Sequence, residues 1–473
     1  MTPTVRFAGG RRWALSVASA AIVAVWVLRH AELAEHGAVL AGAWMLFLAF
    51  LVWHLALAWT ARPVDGTLRQ QRSLDKLFVT VSVPVYNEDP DTVRLVAAAL
   101  FAQERLPDRI QFVDDGSPQY DYADVVLEIH SLAAFYPQVD VIWTRVSNGG
   151  KRHAQAVAFN DGGQADVFVT LDSDSVLDPA AIREGLKPFA DPEVASVAAT
   201  VLTYNSARNI LTGLTELWMT TFQVFIRAAW SQLGCVLVNS GGLAFYRAGV
   251  VRGVVPAYLS ETFFGTPVKF SDDSLLTLYA HLSGKTVQQP TSFVFTVMPE
   301  KLSHHFRQQL RWMRGSFIRA WWRLKYLPLR SFAYWEHLAM WVTFAVATTM
   351  FTDAFLIDPI VDGHFPGWTG ITVPLVLAYA TASPYLLISR SDQSTARQAA
   401  TFLCAPLAAV WMLFVLRPLR LYAMVTCRKT GWGTRQRVEV SAVSGVTAAS
   451  GVTAATAASA VTAASAVSAV SVP

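Results

Sequence analysis

Two long apolar runs near the start of the chain predict a pair of membrane helices. Residues 13–28 contain no charged side chain, and residues 38–60 form a second apolar run after a short polar loop. Each run has close to the ~20 residues that a helix needs to cross a bilayer. A cleaved signal peptide is the alternative for the first run, but the second run follows so closely that a retained hairpin is favoured. Arginines before the first run and after the second place both ends of this hairpin in the cytoplasm.

Apolar runs return towards the other end of the chain. Residues 332–356 and 371–389 predict two further spans. The loop between them carries Asp358 and Asp362 but no lysine or arginine, so it should face outward. A third run, residues 399–426, could form one crossing, a crossing with a short interfacial helix, or a re-entrant hairpin.

Between these membrane regions, short β-branched runs alternate with helical stretches and acidic loops. The runs at 78–85, 110–113, 139–146 and 167–171 predict strands, and their alternation with helices predicts a parallel sheet with right-handed crossovers. In such a sheet a ligand binds outside the carboxyl ends of the strands. The predicted fold class is therefore α/β, with a Rossmann-type domain between N- and C-terminal transmembrane helices.

Polar residues follow each predicted strand, so the fold should gather them at one edge of the sheet. They are Tyr86 and Glu88, Asp114 and Asp115, Lys151 and Arg152, and Asp172 and Asp174, in chain order. An Asp-x-Asp pair offers hard oxygen ligands suited to Mg²⁺ or Mn²⁺, which commonly also bind substrate phosphates. Each motif alone is weak, because Asp-Asp-Gly-Ser is equally typical of a plain turn. Their shared position favours a site for a metal-bound diphosphate.

Composition favours a membrane enzyme over a soluble or nucleic-acid-binding protein. Of the 473 residues 53% are apolar and 15% charged, against roughly 25% charged in an average soluble domain. The net charge of +4 is too small to indicate a nucleic-acid partner. The three cysteines are far apart and predict no disulfide framework. No P-loop occurs, and no dinucleotide-binding glycine motif follows the first predicted strand.

Two later segments carry candidate chemistry. Gly241 and Gly242 lie in a loop that enters an aromatic strand, where a substrate could approach the backbone closely. Ser271, Asp272 and Asp273 open a helical stretch. They could be an N-cap with first-turn acids, or an acid there could act as a base on a substrate hydroxyl.

Residues 304–325 interleave basic and aromatic side chains just before the membrane region resumes. This pattern predicts an amphipathic helix on the lipid surface. The same helix could turn Arg311 and Trp312 into the site.

Taken in this order, the residues resemble a processive family 2 glycosyltransferase of the membrane-embedded kind, which includes hyaluronan, chitin and cellulose synthases. Gln308-x-x-Arg311-Trp312 matches the Gln-x-x-Arg-Trp signature of processive members. The stretch from Trp432 to Arg435 is similar to the Trp-Gly-Thr-Arg motif near the end of hyaluronan synthases, which points to that subfamily.

The resemblance implies a GT-A-like fold and a role for each matching position. Asp273 would be the general base, and Arg311 would neutralise the departing diphosphate. On the donor side, uracil would be bound by Tyr86 and Glu88, with Asp114 or Asp115 assisting. Lys151 would contact the diphosphate, Asp172 the nucleotide and Asp174 the metal, and Gln308 would lie beside them. Trp432 and Arg435 would belong to a loop that closes over the UDP-sugar. Gly241, Gly242 and Trp312 would contact the acceptor.

The chain departs from the subfamily pattern at two places. It has Ser271-Asp272-Asp273-Ser274 where hyaluronan synthases usually have Gly-Asp-Asp-Arg, so a positive charge beside the base is missing. This puts glucuronate in doubt as a donor. Gly242 also replaces a more usual proline.

The implied activity is an inverting, processive transfer from UDP-N-acetylglucosamine and UDP-glucuronate to hyaluronan, which then crosses the plasma membrane. The catalytic domain would be cytoplasmic and would use Mg²⁺ or Mn²⁺. The expected partners are UDP-sugars, the growing polysaccharide and the bilayer, with no nucleic acid and no protein. If the loop at Trp432 gates the site, residues 399–426 should cross twice or not at all, bending near Pro406 or Pro418.

Three alternatives remain from the sequence. The first is a chitin or chitin-oligosaccharide synthase that uses UDP-N-acetylglucosamine alone, which the missing arginine favours. The second is a transferase that moves one sugar to a lipid carrier, and the Gln-x-x-Arg-Trp motif disfavours it. The third is an inactive scaffold or transporter, which the retained acids disfavour.

The predicted organisation has five parts. They are an N-terminal transmembrane hairpin (1–75), the glycosyltransferase domain (76–300), interface helices (301–331), a C-terminal transmembrane region with the gating loop (332–437), and a disordered tail (438–473). The tail contains almost only Ala, Ser, Val, Thr and Gly, which provide no large side chains for packing.

Overall fold

The computed structural model describes residues 3–36, 38–365 and 367–430. The strands are β1 (Val5–Phe7), β2 (Val79–Val85), β3 (Arg109–Asp114), β4 (Asp140–Arg145), β5 (Val167–Leu171), β6 (Ser175–Leu177), β7 (Val194–Thr203), β8 (Leu243–Arg247), β9 (Thr262–Phe263), β10 (Thr266–Pro267), β11 (Lys285–Thr296) and β12 (Ile388–Arg390). The predicted tail, 438–473, lies outside the described residues.

Helices flank the strands and follow them along the chain. They are α1 (Trp13–His36), α2 (Ala38–Thr60), α3 (Leu68–Leu74), α4 (Pro90–Phe101), α5 (Ala123–Ala133), α6 (Lys151–Asp161), α7 (Ala181–Leu186), α8 (Ile210–Phe222), α9 (Ala228–Gln232), α10 (Ala248–Arg252), α11 (Val255–Leu259), α12 (Asp272–Ser283), α13 (Leu302–Tyr326), α14 (Phe332–Thr352), α15 (Asp358–Val361), α16 (Trp368–Ala382), α17 (Thr395–Leu403), α18 (Ala405–Val410) and α19 (Arg417–Val425). Turns of π-helix at Gln223–Arg227, Asp353–Ile357 and Trp411–Leu416 join α8 to α9, α14 to α15 and α18 to α19.

An eight-stranded mixed sheet lies at the centre of the catalytic region, in the order β4-β3-β2-β5-β8-β7-β11-β6. The strands β4, β3, β2 and β5 are parallel, as the sequence predicts. The prediction of parallel strands is confirmed for these four, while β8 runs antiparallel to both β5 and β7. The start of β8 therefore pairs with the end of β5, Leu243 opposite Leu171. This reversal brings the loop before β8 to the carboxyl-end edge of the parallel strands.

Helices cover both faces of this sheet, which explains the composition of its strands. Every residue of β2 (VTVSVPV) and of β5 (VFVTL) is buried, and valine is the commonest residue in both strands. Strands buried on both faces have near-continuous apolar runs rather than alternating ones. The predicted α/β fold class is confirmed.

Four helical segments of the described chain are long and apolar enough to cross a membrane. They are Ala41–Thr60, Phe332–Val361, Trp368–Leu387 and Ala405–Val425. The helix α1 packs along α2, and Arg12 at its start donates from Nη2 to the carbonyl oxygen of Ala61 just beyond the end of α2, 2.6 Å away. The two helices are therefore antiparallel, as the predicted hairpin requires.

The end of α2 also contacts both α14 and the sheet. Trp53 and His54 lie 3.2 Å and 2.9 Å from the carboxylate of Glu336 on α14. The backbone of Val64 bonds in both directions to the side-chain amide of Gln289 on β11. Ala333, at the start of α14, packs in the cluster that contains Trp230. The end of α2 and the start of α14 therefore lie next to the sheet.

The segment after α17 differs from the other apolar helices. Its helix starts at Ala405, directly before Pro406, and continues through Pro418 without a break. Ala405 packs against α8, which follows β7 directly, and the hydroxyl of Thr430 at the other end donates to the carbonyl oxygen of Pro267, 2.6 Å away. Between these ends, Phe414 and Arg417 pack against α14, which is itself a candidate span. Because both ends contact the sheet-containing region, we expect the two ends of the segment to lie on the same side of the membrane.

The natural cysteines test this position. Cys404 precedes the segment and Cys427 follows it, and both are partly exposed, whereas Cys235 is buried. We expect a membrane-impermeant maleimide to label Cys404 and Cys427 from the same face of sealed vesicles, with Cys404→Ala and Cys427→Ala variants assigning each signal. Cys235→Ala is the control and should label like the unmodified chain. Labelling of the two cysteines from opposite faces would show that the segment crosses.

Candidate active site

The carboxyl-end edge of the parallel strands opens into a cavity of about 1150 Å³. Helices α8, α12 and α13 close its other sides. Most of the predicted site residues lie on its wall. They are Tyr86, Glu88, Asp115, Lys151, Asp172, Asp174, Gly241, Gly242, Asp273, Gln308, Arg311 and Trp312. The structure thus brings together positions that are more than 200 residues apart in sequence.

Asp114 is the one described site prediction that the cavity wall does not include. Its carboxylate is buried, accepts a hydrogen bond from the backbone N–H of Ser117 at 2.9 Å and lies 3.5 Å from Arg145. Asp114 therefore holds the loop after β3, and of the two predicted alternatives only Asp115 lies on the cavity wall. Trp432 and Arg435 lie outside the described residues.

Lys151 joins the two halves of the site. Its Nζ lies 2.6 Å from Oδ1 of Asp172, at the end of β5, and 2.9 Å from Oδ2 of Asp272, at the start of α12. Burial alone would lower the pKa of Lys151, but the two carboxylates raise it well above its usual value. Lys151 is therefore a permanent cation. We call these three residues the lysine bridge.

The loop that presents Lys151 is held by the residue next to Asp114. The two carboxylate oxygens of Asp115 accept the backbone N–H groups of Gly149 and Gly150, each at 2.8 Å. Asp115 lines the cavity while it makes these bonds. Asp115, in the loop after β3, thus positions the loop after β4 that carries Lys151.

The glycine loop before β8 lies directly against the lysine bridge. A Cβ atom at Gly241 would be 3.2 Å from Oδ2 of Asp172 and 3.4 Å from Nζ of Lys151. A side chain at Gly241 would therefore crowd the bridge. This close approach gives a physical reason for glycine at this position.

Asp174 stands two residues beyond Asp172 on the cavity wall, half-buried. Among the described residues no group of three or more His, Cys, Asp or Glu side chains is placed to bind a metal ion. A carboxylate that shares a divalent ion with ligand phosphates and water is common for Mg²⁺. Asp174 fits that kind of site, in which the substrate supplies ligands.

Glu88 lies on the neighbouring strand end. It accepts a hydrogen bond from the hydroxyl of Ser173 at 3.0 Å, and its backbone oxygen accepts one from the hydroxyl of Tyr122 at 2.6 Å. These bonds connect the loop after β2 to the Asp-x-Asp segment.

Asp273 is the second residue of α12, and it lines the cavity. The backbone N–H of Ser274 donates to its Oδ1 at 2.6 Å, and the hydroxyl of Thr277 donates to its backbone oxygen at 2.7 Å. Burial, and then the negative charge of Asp272, raise the pKa of Asp273 to about 6. A carboxylate with a pKa near the working pH is suited to general base catalysis.

A buried ionic network holds the turn that carries Asp273. Glu261 lies 2.8 Å from Arg152 and 2.8 Å from Arg319, and it accepts the indole N–H of Trp322 at 2.9 Å. Arg152 also donates to the backbone oxygen of Phe270 at 2.6 Å. We call Arg152, Glu261, Arg319 and Trp322 the Glu261 network. Glu261 cannot be recognised as a functional residue from the sequence, because nothing in its local sequence marks it.

The network also bears on the departure from the Gly-Asp-Asp-Arg pattern. Ser271 adopts a left-handed backbone with φ of 63°, which glycine adopts without strain and serine does not. Nε of Arg319 donates to the hydroxyl of Ser274 at 3.2 Å. A guanidinium group therefore lies beside Ser274, although it comes from α13 and not from position 274. Arg319 is itself paired with Glu261 at 2.8 Å, so the loss of positive charge beside the base stays a prediction.

The helix α13 brings the Gln-x-x-Arg-Trp motif to the cavity because it packs closely on this turn. A Cβ atom at Gly315 would be 2.3 Å from the hydroxyl oxygen of Ser271, so only glycine permits the contact. Gln308, Arg311 and Trp312, one to two turns earlier, then line the cavity.

Comparison with known proteins identifies the family. Residues 76–315 match the family described as glycosyltransferase like family 2. The chain belongs to glycosyltransferase family 2. The sequence-based assignment of this enzyme class is therefore confirmed.

The relatives of this glycosyltransferase cover most of its length. A hyaluronan synthase from Streptococcus pyogenes serotype M3 is 31% identical over 398 residues, which are 84% of this chain and 91% of that protein. An N-acetylglucosaminyltransferase from Rhizobium meliloti is 28% identical over 394 residues, 81% of this chain and 88% of the relative.

A solved structure supports the fold. The mannosyltransferase from Pyrobaculum calidifontis in complex with GDP-Man and Mn²⁺ superposes with a TM-score of 0.51 at 16% identity, covering 88% of this chain and 99% of that one. The predicted GT-A-like fold is confirmed.

The position and pKa of Asp273 predict the pH dependence of transfer. A general base must be deprotonated, so the rate should fall about tenfold per pH unit below pH 6 and level off above it. Asp273→Asn should lower the rate at pH 7.5 by about 100-fold or more, because general base catalysis contributes that much. Asp91→Asn, at an exposed ion pair, is the matched control. An Asp273→Asn enzyme with an unchanged rate would exclude Asp273 as the base.

The Glu261 network predicts a stability effect. Glu261→Gln leaves two buried arginines without their carboxylate, and breaking a buried pair costs roughly 3–5 kcal/mol. We expect a large fall in the thermal midpoint of the detergent-solubilised protein. Glu128→Gln breaks the exposed pair with Arg94 and should cost about 0–1 kcal/mol. Equal midpoints for the two variants would contradict the proposed role of Glu261.

Proposed function

We propose that this glycosyltransferase is a processive, membrane-embedded synthase that polymerises UDP-N-acetylglucosamine and UDP-glucuronate into hyaluronan. The observation that carries the proposal is the common cavity of Asp174, Asp273, Arg311 and Trp312, next to the membrane helices. The similarity to hyaluronan synthase over most of the chain supports the product.

The proposed reaction is a single in-line displacement with inversion at the anomeric carbon. Asp273 takes the proton of the acceptor hydroxyl, whose oxygen forms the new bond to the anomeric carbon. The bond from that carbon to the phosphate oxygen breaks, and UDP leaves with the electron pair. Arg311 lies on the cavity wall, where its charge would stabilise the departing diphosphate. Alignment of acceptor and donor by the surrounding side chains supplies much of the remaining acceleration.

The donor would lie at the carboxyl ends of β2, β3 and β5. Tyr86, Glu88 and Asp115 would contact the uracil, while the lysine bridge would meet the diphosphate and the nucleotide. Asp174 would hold Mg²⁺ or Mn²⁺, which when bound would neutralise charge on the diphosphate. Gln308 would lie beside the donor from α13.

The acceptor would lie against Gly241, Gly242 and Trp312, and the growing polymer would leave through the membrane helices. This arrangement needs the catalytic region on the cytoplasmic side of the plasma membrane, as the flanking arginines indicate. Thr430 lines the cavity, so the chain reaches the cavity rim shortly before Trp432 and Arg435. That position supports a loop that closes over the bound UDP-sugar.

A chitin or chitin-oligosaccharide synthase is the second candidate. The similarity to N-acetylglucosaminyltransferases favours it, as does the serine at position 274. The guanidinium of Arg319 beside Ser274 weakens the second argument.

Donor dependence distinguishes the two candidates. We expect the purified enzyme to form a polymer of high molecular mass only when both UDP-sugars are present, and to stall with either alone, because each unit must follow the other. Product size on a gel and the release of UDP give the readout, with Asp273→Asn as the inactive control. Polymer from UDP-N-acetylglucosamine alone would establish chitin synthesis, and transfer of only one sugar would exclude processive synthesis.

A further inference from the structure

Arg227 is a buried cation on the cavity wall that the proposed reaction does not use. It ends the π-helical turn after α8, a type of turn that is frequent at functional sites. Its exposure is 2%, yet it lines the cavity together with Trp218 and Phe222 of the same helix.

The hydrogen-bond partners of Arg227 carry no charge, although the negative charge of Asp273 acts on it without a direct ion pair. Its Nη1 donates to the backbone oxygen of Ala199 at 3.1 Å and to the side-chain oxygen of Gln223 at 3.2 Å, and its Nη2 donates to the hydroxyl of Ser240 at 2.6 Å. Within the described part of the chain, its Nε has no hydrogen-bond partner. Burial lowers the pKa of Arg227 to about 10, so the group remains charged at neutral pH.

Two other buried arginines of the described chain are paired with carboxylates. Arg319 lies 2.8 Å from Glu261, and Arg390 lies 2.8 Å from Glu216. A buried charge without a counter-ion is costly, which is why such charges are normally paired. Among the described residues, Arg227 and Arg323 have no such ion pair, and both face a cavity large enough for a ligand. An anionic group of a ligand would complete the pairing of either.

We infer that Arg227 binds the carboxylate of a uronic acid unit in the acceptor, which makes it a specificity-determining residue. The inference rests on the proposed polysaccharide synthase function. A planar guanidinium matches a carboxylate with two parallel hydrogen bonds. The aromatic rings of Trp218 and Phe222 would provide apolar surface for the sugar rings beside it.

The position of Arg227 favours the acceptor over the donor diphosphate. Arg227 bonds to Ser240, whereas the next residue, Gly241, faces Lys151 and Asp172. The diphosphate is assigned to that second side, with Asp174. Arg323 is also buried on the cavity wall, but its guanidinium donates to the backbone oxygen of Leu237 and not to the loop that would contact the acceptor.

The test compares two acceptors that differ only in charge. One is an oligosaccharide of alternating glucuronate and N-acetylglucosamine that ends in glucuronate, and the other is the same molecule with its carboxylates reduced to hydroxymethyl groups. With UDP-N-acetylglucosamine alone, each accepts one sugar. We expect the wild-type KM for the charged acceptor to be about tenfold lower or more, since a hydrogen bond to a charged group contributes that much.

The variants assign this preference to Arg227. Arg227→Gln should abolish it by raising the KM for the charged acceptor alone, and Arg227→Lys should restore part of it. Arg252→Gln, an exposed arginine on α10, is the matched control and should keep the wild-type preference. The KM for UDP-N-acetylglucosamine should not change in any of them.

Three results would overturn the inference. They are a wild-type enzyme that does not distinguish the acceptors, an Arg227→Gln enzyme that loses both acceptors by the same factor, and an Arg227→Gln enzyme that loses affinity for the donor. If Arg227→Gln does not fold, the wild-type comparison and Arg227→Lys still decide. Polymer formation from both donors is measured on the same preparation. The absence of polymer would contradict the hyaluronan proposal, whereas an unchanged acceptor preference in Arg227→Gln would contradict only the assignment to Arg227.

Discussion

The ammonium group of Lys151 is the contact on which the site depends. It bridges Asp172 at the end of β5 and Asp272 at the start of α12, at 2.6 Å and 2.9 Å. Burial would raise the pKa of Asp272, but Lys151 lowers it. Asp272 therefore stays ionised, and its negative charge is one reason why the neighbouring Asp273 has a raised pKa. The same bridge thus joins the end of β5 to the start of α12 and influences the pKa of the candidate base.

The Glu261 network supports the same turn from the opposite side and connects it to the membrane region. Arg319 and Trp322 belong to α13, the helix that also carries Arg311 and Trp312. Contacts therefore lead from Phe270, shortly before Asp273, through Arg152 and Glu261 to α13. The helix α14, a candidate membrane span, follows α13 after a short connection.

The sequence predicted the parts of the fold that local pattern determines. The strand at 167–171 and the helix at 38–60 have the predicted bounds, because long apolar or β-branched runs end there at polar residues. The rule that ligands bind at the carboxyl ends of parallel strands correctly predicted that the acidic motifs lie close together. It could not choose between Asp114 and Asp115, because successive residues point to opposite sides. Glu261 and Arg227 were missed because their partners lie far away in sequence.

The departure at Ser274 shows what motif matching alone does not reveal. With serine there, the hydroxyl accepts the Nε–H of Arg319, and Glu261 orients the same guanidinium through its other nitrogens. Because Glu261 is shared with Arg152, the three side chains retain one net positive charge. The surroundings of position 274 are thus set by side chains that come from α13 and from residues far away in sequence, which the motif itself does not contain.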